Sequence, residues 1–323
     1  MQASDIRKVA VVGAGLMGHG IALELAANGY EVHLHDLTEE VLDRAVENIH
    51  EGLDRMVEYG MLTEKDADDA PDRLWIGTDL EGMVGNVDLV IEAAVEDVDV
   101  KRKVFAELGR LAPAHAILAS NTSSFKPSLY ATESGRPDKV IVAHYANPAF
   151  LVPLVEIVPG PETSDETMGV TVNFMESLGK KALVAKKEVP GFILNRLQTA
   201  LLREAMWLVD NDVADPEDID TALKYGTGRR WAFAGVFEVF ELAGWDVVER
   251  IFKEVGPSLA ASGEVPDALK ARVERGDFGA KTGRGFYESN EEWVEETRSR
   301  IAYGMAGTER LWSEWAGRER QTD

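Results

Sequence analysis

Apolar residues follow two rhythms along the first 187 positions. Short runs at Val9–Val12, Val32–His35, Leu89–Ile91, Ile117–Ala119, Val140–Ala143, Leu154–Val158 and Leu183–Val184 are rich in the branched residues that suit strands. Between them, Met17–Asn28, Thr38–Tyr59, Val98–Leu111 and Thr167–Leu178 repeat their apolar positions at the spacing that gathers side chains on one helix face. This alternation predicts an α/β fold: a doubly wound, largely parallel sheet with crossover helices on both sides. From Pro190 the rhythm changes. Gly191–Asp210, Pro216–Tyr225 and Val236–Val255 keep helical spacing, and no convincing strand pattern follows. The predicted organisation is an α/β domain over residues 1–187 and an all-helical domain over residues 188–323, with no low-complexity linker between them. A polar helix with Trp293, Trp312 and Trp315 closes the chain, its tryptophans read as packing or subunit contacts.

Composition narrows the partners. The 323 residues are 45% hydrophobic, enough for two cores, and no apolar run reaches the roughly 18 residues of a membrane span. The expectation is a soluble, cytoplasmic protein. A net charge of −23 opposes nucleic acid and anionic membrane surfaces as partners. Cysteine is absent, which excludes disulfides, thiolate metal sites and a catalytic thiol, so redox chemistry would need a cofactor.

Such a cofactor has an address. The strand Val9–Val12 runs into Gly13-Ala14-Gly15-Leu16-Met17-Gly18, a helix starts at once, and Asp36 ends the next strand. In this context the glycines mark a Rossmann-type dinucleotide site. Gly13 serves the tight turn, Gly15 the approach of the pyrophosphate and Gly18 the packing of helix on strand. Asp36 is expected to accept hydrogen bonds from ribose hydroxyls and to repel the 2′-phosphate of NADP, and no Arg follows it in Leu37-Thr38-Glu39. NAD is the expected cofactor, and no metal site is expected.

Of the six histidines, His144 stands apart because it ends a strand in the half of the sheet where open α/β folds bind ligands. A returning strand would bring Glu156 beside it, a carboxylate able to orient the ring and stabilise its cation. Spacing alone leaves a structural and a catalytic histidine equally open. The segments Ser120-Asn121-Thr122-Ser123-Ser124, His144-Tyr145-Ala146-Asn147-Pro148 with Glu156, and Pro190-Gly191-Phe192-Ile193-Leu194-Asn195-Arg196 resemble, in order and spacing, the signatures of the 3-hydroxyacyl-CoA dehydrogenase family. Ile91-Glu92-Ala93 with Glu96 and Lys101, and Lys281-Thr282-Gly283 through Tyr287, resemble further family segments. The resemblance implies that His144 is the general base and Glu156 its orienting partner. It implies that Ser123 and Asn195 hold the substrate oxygens, and that Glu96, Lys101, Ser123, Asn147 and Lys281 contact NAD. It also implies a homodimer, for which the apolar positions of Gly191–Asp210 and Val236–Val255 independently argue.

Two stretches separate the chain from family members that use CoA. Gly52 and Tyr59, with Glu51, Asp54 and Glu58 beside them, stand where those members carry a Ser and a Lys toward the CoA phosphates. Gly226–Gly235, with Arg229, Arg230, Trp231 and Phe233, replaces a small turn and is more similar to the branch containing lambda-crystallin (L-gulonate 3-dehydrogenase) and carnitine dehydrogenase. The expected substrate is therefore a small free 3-hydroxy acid, its carboxylate met by Arg230 or Arg229. A 3-hydroxyacyl-CoA enzyme is the alternative, and a non-catalytic NAD-binding protein a third reading.

Overall fold

The structure, a computed structural model, describes residues 1–319. Eight strands form one sheet: β1 (Lys8–Val12), β2 (Glu31–His35), β3 (Leu74–Gly77), β4 (Leu89–Glu92), β5 (Ile117–Ser120), β6 (Val140–Tyr145), β7 (Leu154–Pro159) and β8 (Lys181–Val184). Their order is β3-β2-β1-β4-β5-β6-β7-β8. Every neighbouring pair is parallel except β6 and β7, which run antiparallel. The chain leaves β1 in one direction for β2 and returns on its other side as β4, so the crevice for a ligand opens at the carboxyl ends of β1 and β4.

Strands β1, β4, β5 and β6 are buried almost end to end because helices cover both sheet faces. Val9 and Val11 join Ile21 and Leu25 of helix α1 (Gly18–Ala27) and Leu42 and Ile49 of α2 (Glu39–Glu58) in one core. Ala10 and Val12, pointing the other way, join Val84 of a second core. Two short helices, α3 (Glu64–Asp69) and α4 (Leu80–Val84), precede α5 (Val98–Leu111), whose Phe105 and Leu108 complete that core. Helix α6 (Asp165–Ser177) adds Phe174 and Met175 to the first.

Strand β3 lies outside the sequence-predicted set. It is a four-residue edge strand whose short apolar run, Leu74-Trp75-Ile76, leaves Trp75 and Ile76 both exposed. It exists because its backbone pairs with β2, from Val32↔Leu74 to His35↔Gly77.

The chain divides into two compact units, the first Met1–Arg196 and the second beginning at Leu197. Pro190–Ile193 stays with the sheet, and α7 (Leu194–Asp210) begins later than the apolar spacing predicts. Gly191 and Phe192, at φ 71° and 47°, turn the chain before the helix. The second unit continues with α8 (Pro216–Ala222), a π-helical turn at Leu223–Thr227, α9 (Gly228–Trp231), α10 (Val236–Ala243), α11 (Trp245–Val255), α12 (Asp267–Arg275) and α13 (Glu291–Glu319). The predicted helix Val236–Val255 is thus two, broken where Gly244 takes φ 87°. Side chains tie the connections: the Tyr287 hydroxyl donates to Asp220 at 3.0 Å, and Asp210 accepts the Ala268 N–H at 2.8 Å. Among the described residues no helix is long and apolar enough to cross a membrane.

Candidate active site

The turn after β1 is shaped by what its glycines exclude. A Cβ on Gly13 would sit 2.6 Å from the Ala93 carbonyl oxygen, and one on Gly18 1.7 Å from the Gly13 oxygen, so neither position admits a side chain without backbone movement. Gly13 also takes φ 104°, left-handed backbone that favours glycine. Gly15 differs: nothing lies within 4 Å of where its Cβ would stand. Its hydrogen therefore faces open space at the mouth of the crevice, beside exposed Leu16 and half-buried Met17. No side chain caps α1; the His19 N–H is taken by the Gly15 carbonyl at 3.2 Å, and the positive end of the helix dipole remains available to an anion. Past the end of β2, Asp36 accepts the Ala14 N–H on Oδ2 and the Leu37 N–H on Oδ1, each at 2.7 Å. A carboxylate has about four lone-pair positions, so these bonds aim Asp36 without exhausting it for ribose hydroxyls. Turn, helix end and carboxylate fit a dinucleotide.

Across the sheet, the antiparallel register sets His144 directly opposite Glu156. The His144 Nδ1 lies 2.7 Å from Glu156 Oε2, and both residues are buried. The other carboxylate oxygen, Oε1, accepts the Ile193 and Leu194 N–H groups at 2.9 and 2.8 Å. Burial pushes the Glu156 carboxyl up, but the bond to His144 and the two backbone N–H groups outweigh it and hold the group below its ordinary value. An ionised Glu156 can only accept, so Nδ1 carries the proton and Nε2 presents the lone pair. The β6 end is fixed from the side by Asn121, whose Oδ1 accepts the Tyr145 N–H at 2.8 Å.

The loop after β5 is gathered on Glu96. Its Oε1 accepts the hydroxyls of Thr122 and Ser124 at 2.7 Å each, the N–H groups of Ser123 and Ser124 at 3.1 and 3.2 Å, and, more weakly, the Ser123 hydroxyl at 3.4 Å. Burial again raises this carboxyl, and the Thr122 and Ser124 bonds together with Lys101 reverse the direction and lower it. Asn195 donates from Nδ2 to the Ser123 carbonyl at 3.0 Å. One side of the first unit thus holds Ser123, Asn195 and Glu96 in one hydrogen-bonded set, while Leu194, next to Asn195, binds Glu156 of the His144 pair.

Other expected residues are placed differently. Lys101 is 1% exposed, and its ammonium contacts both oxygens of Glu92 at 2.9 and 3.0 Å and Glu96 at 3.3 Å, so it meets the site through Glu96. Asn147 is exposed on the loop between β6 and β7, followed by a cis peptide bond to Pro148. Lys281 and Arg230 belong to the second unit, where both are exposed. Arg229 lies over the Tyr225 ring at 5.0 Å. Phe233 lines a 490 Å³ pocket with Leu311, Trp312, Glu314 and Trp315, and the Trp312 indole N–H donates to the Ala232 carbonyl at 3.1 Å. Two partners escaped the sequence reading: Thr122 and Ser124, whose role is visible only once Glu96 is seen among them.

Comparison with known proteins gives the family. Residues 8–189 match the family model described as 3-hydroxyacyl-CoA dehydrogenase, NAD binding domain, and residues 191–289 match that of the 3-hydroxyacyl-CoA dehydrogenase C-terminal domain. An L-carnitine dehydrogenase of Bacillus cereus is 36% identical over 88% of each chain. A probable 3-hydroxybutyryl-CoA dehydrogenase of Deinococcus radiodurans is 38% identical over 87% of this chain and 99% of its own. Among solved structures, a 5-formyl-3-hydroxy-2-methylpyridine 4-carboxylic acid 5-dehydrogenase, described as an NAD+-dependent dismutase, superposes with a TM-score of 0.89 at 28% identity, covering 95% of this chain and 98% of its own. The cofactor is NAD, and the chain is an NAD-dependent oxidoreductase that belongs to the 3-hydroxyacyl-CoA dehydrogenase family.

Proposed function

We propose that the protein interconverts a small free 3-hydroxy acid and its 3-keto acid, with His144 as general base and Glu156 holding its ring. The observation that carries this reading is the buried 2.7 Å bond from His144 Nδ1 to Glu156. It leaves Nε2 as the proton acceptor and supplies a negative charge to the imidazolium formed on protonation. NAD, when bound, supplies the hydride acceptor. Gly13, Ala14, Gly15, Leu16, Met17 and Gly18 would cradle its pyrophosphate and Asp36 a ribose, with Glu96, Asn147 and Lys281 as further cofactor positions and buried Lys101 set behind Glu96. Ser123 would hold the reacting hydroxyl. The Asn195 amide, with one donor on the Ser123 carbonyl, keeps a second donor and its oxygen for the substrate.

Two features favour a free acid over a CoA thioester. Glu47, Glu51, Asp54 and Glu58 are all exposed on α2, where they would oppose the phosphates of CoA. Position 52 offers no side-chain donor, and a Cβ there would meet the Leu23 Cδ1 methyl at 2.3 Å, so a side chain would require Leu23 to move. A free carboxylate needs only a cation, for which exposed Arg230 is the candidate. The relatives named for L-carnitine and for a pyridine carboxylic acid support the same choice. The thioester alternative draws on the relative named for 3-hydroxybutyryl-CoA.

The protein would act as a homodimer. Among the described hydrophobic residues of the second unit only Met206, Ala268 and Ala302 are buried, while Phe237, Leu242 and Phe252 are 75, 88 and 68% exposed. So much bare apolar surface calls for a covering partner, and a second copy supplies it by symmetry.

The test is NADH formation by the purified protein with free 3-hydroxy acids, L-carnitine and 3-hydroxybutyryl-CoA. A higher kcat/KM for a free acid is expected, with its KM raised by Arg230→Ala. Efficient turnover of the thioester alone would overturn the choice.

A further inference from the structure

We propose that Glu92 is a positioning residue of the active site: it holds the Lys101 ammonium, which holds Glu96, which holds the Thr122–Ser124 loop. Glu92 ends β4 after Leu89-Val90-Ile91 and is fully buried. A buried carboxylate is tolerated only when its charge and lone pairs are met, and an apolar residue would close a buried strand with less cost. Here every demand is met by Lys101, Ala94 and Ser120. Glu92 Oε1 accepts from Lys101 at 2.9 Å and from the Ala94 N–H at 2.9 Å, and Oε2 accepts from Lys101 at 3.0 Å and from the Ser120 hydroxyl at 2.5 Å.

The local sequence delivers Lys101 to this point. Asp97 caps α5 by accepting the Asp99 and Val100 N–H groups, both at 2.9 Å, which starts the helix one turn before Lys101 and turns its side chain inward. The ammonium then bridges the 0% exposed Glu92 side chain and that of Glu96, 38% exposed. The network therefore runs from the sheet interior to the open edge, where Glu96 collects its bonds from Thr122, Ser123 and Ser124. Asn195, bonded to the Ser123 carbonyl, and Leu194, bonded to Glu156, extend it to His144. In this arrangement the position of Ser123 depends on a carboxylate that touches neither substrate nor cofactor.

This inference rests on the proposed placement of Ser123 and Glu96 beside cofactor and substrate, with Lys101 behind Glu96, and the experiment separates the two. Glu92→Gln, Lys101→Met and the double variant are measured for kcat, KM for NAD and melting temperature. Each single variant is expected to lose kcat/KM for NAD by roughly ten- to hundredfold, the cost of misplacing a reacting group. The double variant should be no worse than Lys101→Met, since both changes act through one ammonium. Additive losses, or a lower melting temperature with unchanged kinetics for Glu92→Gln, would give Glu92 a merely structural role and overturn the proposal. Should Glu92→Gln not fold, Glu92→Asp keeps the charge and shortens its reach to the Lys101 ammonium by one methylene, leaving the Ser120 bond to the Thr122 N–H in place. A several-fold rise in KM for NAD supports the proposal, and wild-type kinetics overturn it. Impaired Lys101→Met beside unimpaired Glu92→Gln defeats this inference alone, whereas unimpaired Lys101→Met defeats the placement of Lys101 and the inference with it.

Discussion

Replacing Glu156 by Gln tests the proposed base in a way that deletion of His144 does not. The amide has one oxygen and one NH2 where the carboxylate has two acceptors. If its oxygen stays on Oε1's side, it keeps the Ile193 and Leu194 N–H groups, and its NH2 faces His144 Nδ1. In the reverse orientation two buried backbone donors face an NH2, at about 1–3 kcal/mol for each group left unsatisfied. The first orientation wins, because the imidazole meets it merely by moving its proton from Nδ1 to Nε2. The nitrogen that should accept the substrate proton then carries one. The wrong tautomer in an Asp-to-Asn variant of the serine protease triad costs about 10⁴-fold in kcat, and a loss of about 10³–10⁴-fold is expected here. At 1.36 kcal/mol per decade this raises the barrier by about 4–5.5 kcal/mol. The assay is steady-state NADH formation, with cofactor binding measured separately to show that the fold is intact. A variant that binds NAD and keeps kcat within tenfold of the parent would refute the tautomer argument and remove Glu156 from its role.

The same variant carries a pH signature. The native Glu156 carboxyl is held below its ordinary value of 4.5, so its contribution to stability is present above that pH and is lost as pH falls through the depressed value. Gln does not titrate. Urea titrations should therefore show the stability gap between parent and Glu156→Gln narrowing below pH 4.5, and a constant gap would contradict the direction of the shift.

Further outcomes follow from the same geometry. His144→Ala should lower kcat by about 10²–10⁴-fold with NAD affinity nearly unchanged in a binding titration. Gly15→Ala should fold with a normal melting temperature and bind NAD poorly, because the open space at Gly15 is what the pyrophosphate would enter. Gly18→Ala, blocked by the Gly13 oxygen, should instead lose about 1–3 kcal/mol of stability in denaturant titrations, as overpacked sites do. Asp36→Ser should narrow the preference for NAD over NADP in kcat/KM, and equal use of both cofactors by the unaltered protein would argue against the assignment. Sedimentation at micromolar concentration should give a dimer, and a monomer there would leave the exposed side chains of α10 and α11 unaccounted for.

The parts legible in the sequence are those that the chain determines over a few residues. A strand followed by Gly13-Ala14-Gly15-Leu16-Met17-Gly18 and a helix needs only local sterics to be read, and Asp36 follows from the length of one helix and one strand. The helix Val98–Leu111 falls where its spacing puts it, since an Asp97 cap and an apolar face are both local signals. Elsewhere local signals mislead. Gly244 splits an apolar stretch into two helices, and Leu74-Trp75-Ile76, a short apolar run that is not buried, becomes an edge strand by pairing with β2.

What pattern alone determined was thus the alternation of strands and helices, the dinucleotide turn and the types of residue brought to the chemistry. Tertiary structure decided which of them meet. The register of β6 against β7 sets His144 opposite Glu156, and a slip of one residue would turn the carboxylate to the other face of the sheet. Lys101, which the family resemblance assigns to NAD, is drawn inside, its ammonium on both oxygens of buried Glu92. Asn195 reaches Ser123 across 72 positions of chain. Periodicity reports the neighbours a residue has along one element, whereas register and the pairing of buried charges are settled between elements, where burial leaves an unmatched polar group too costly to keep.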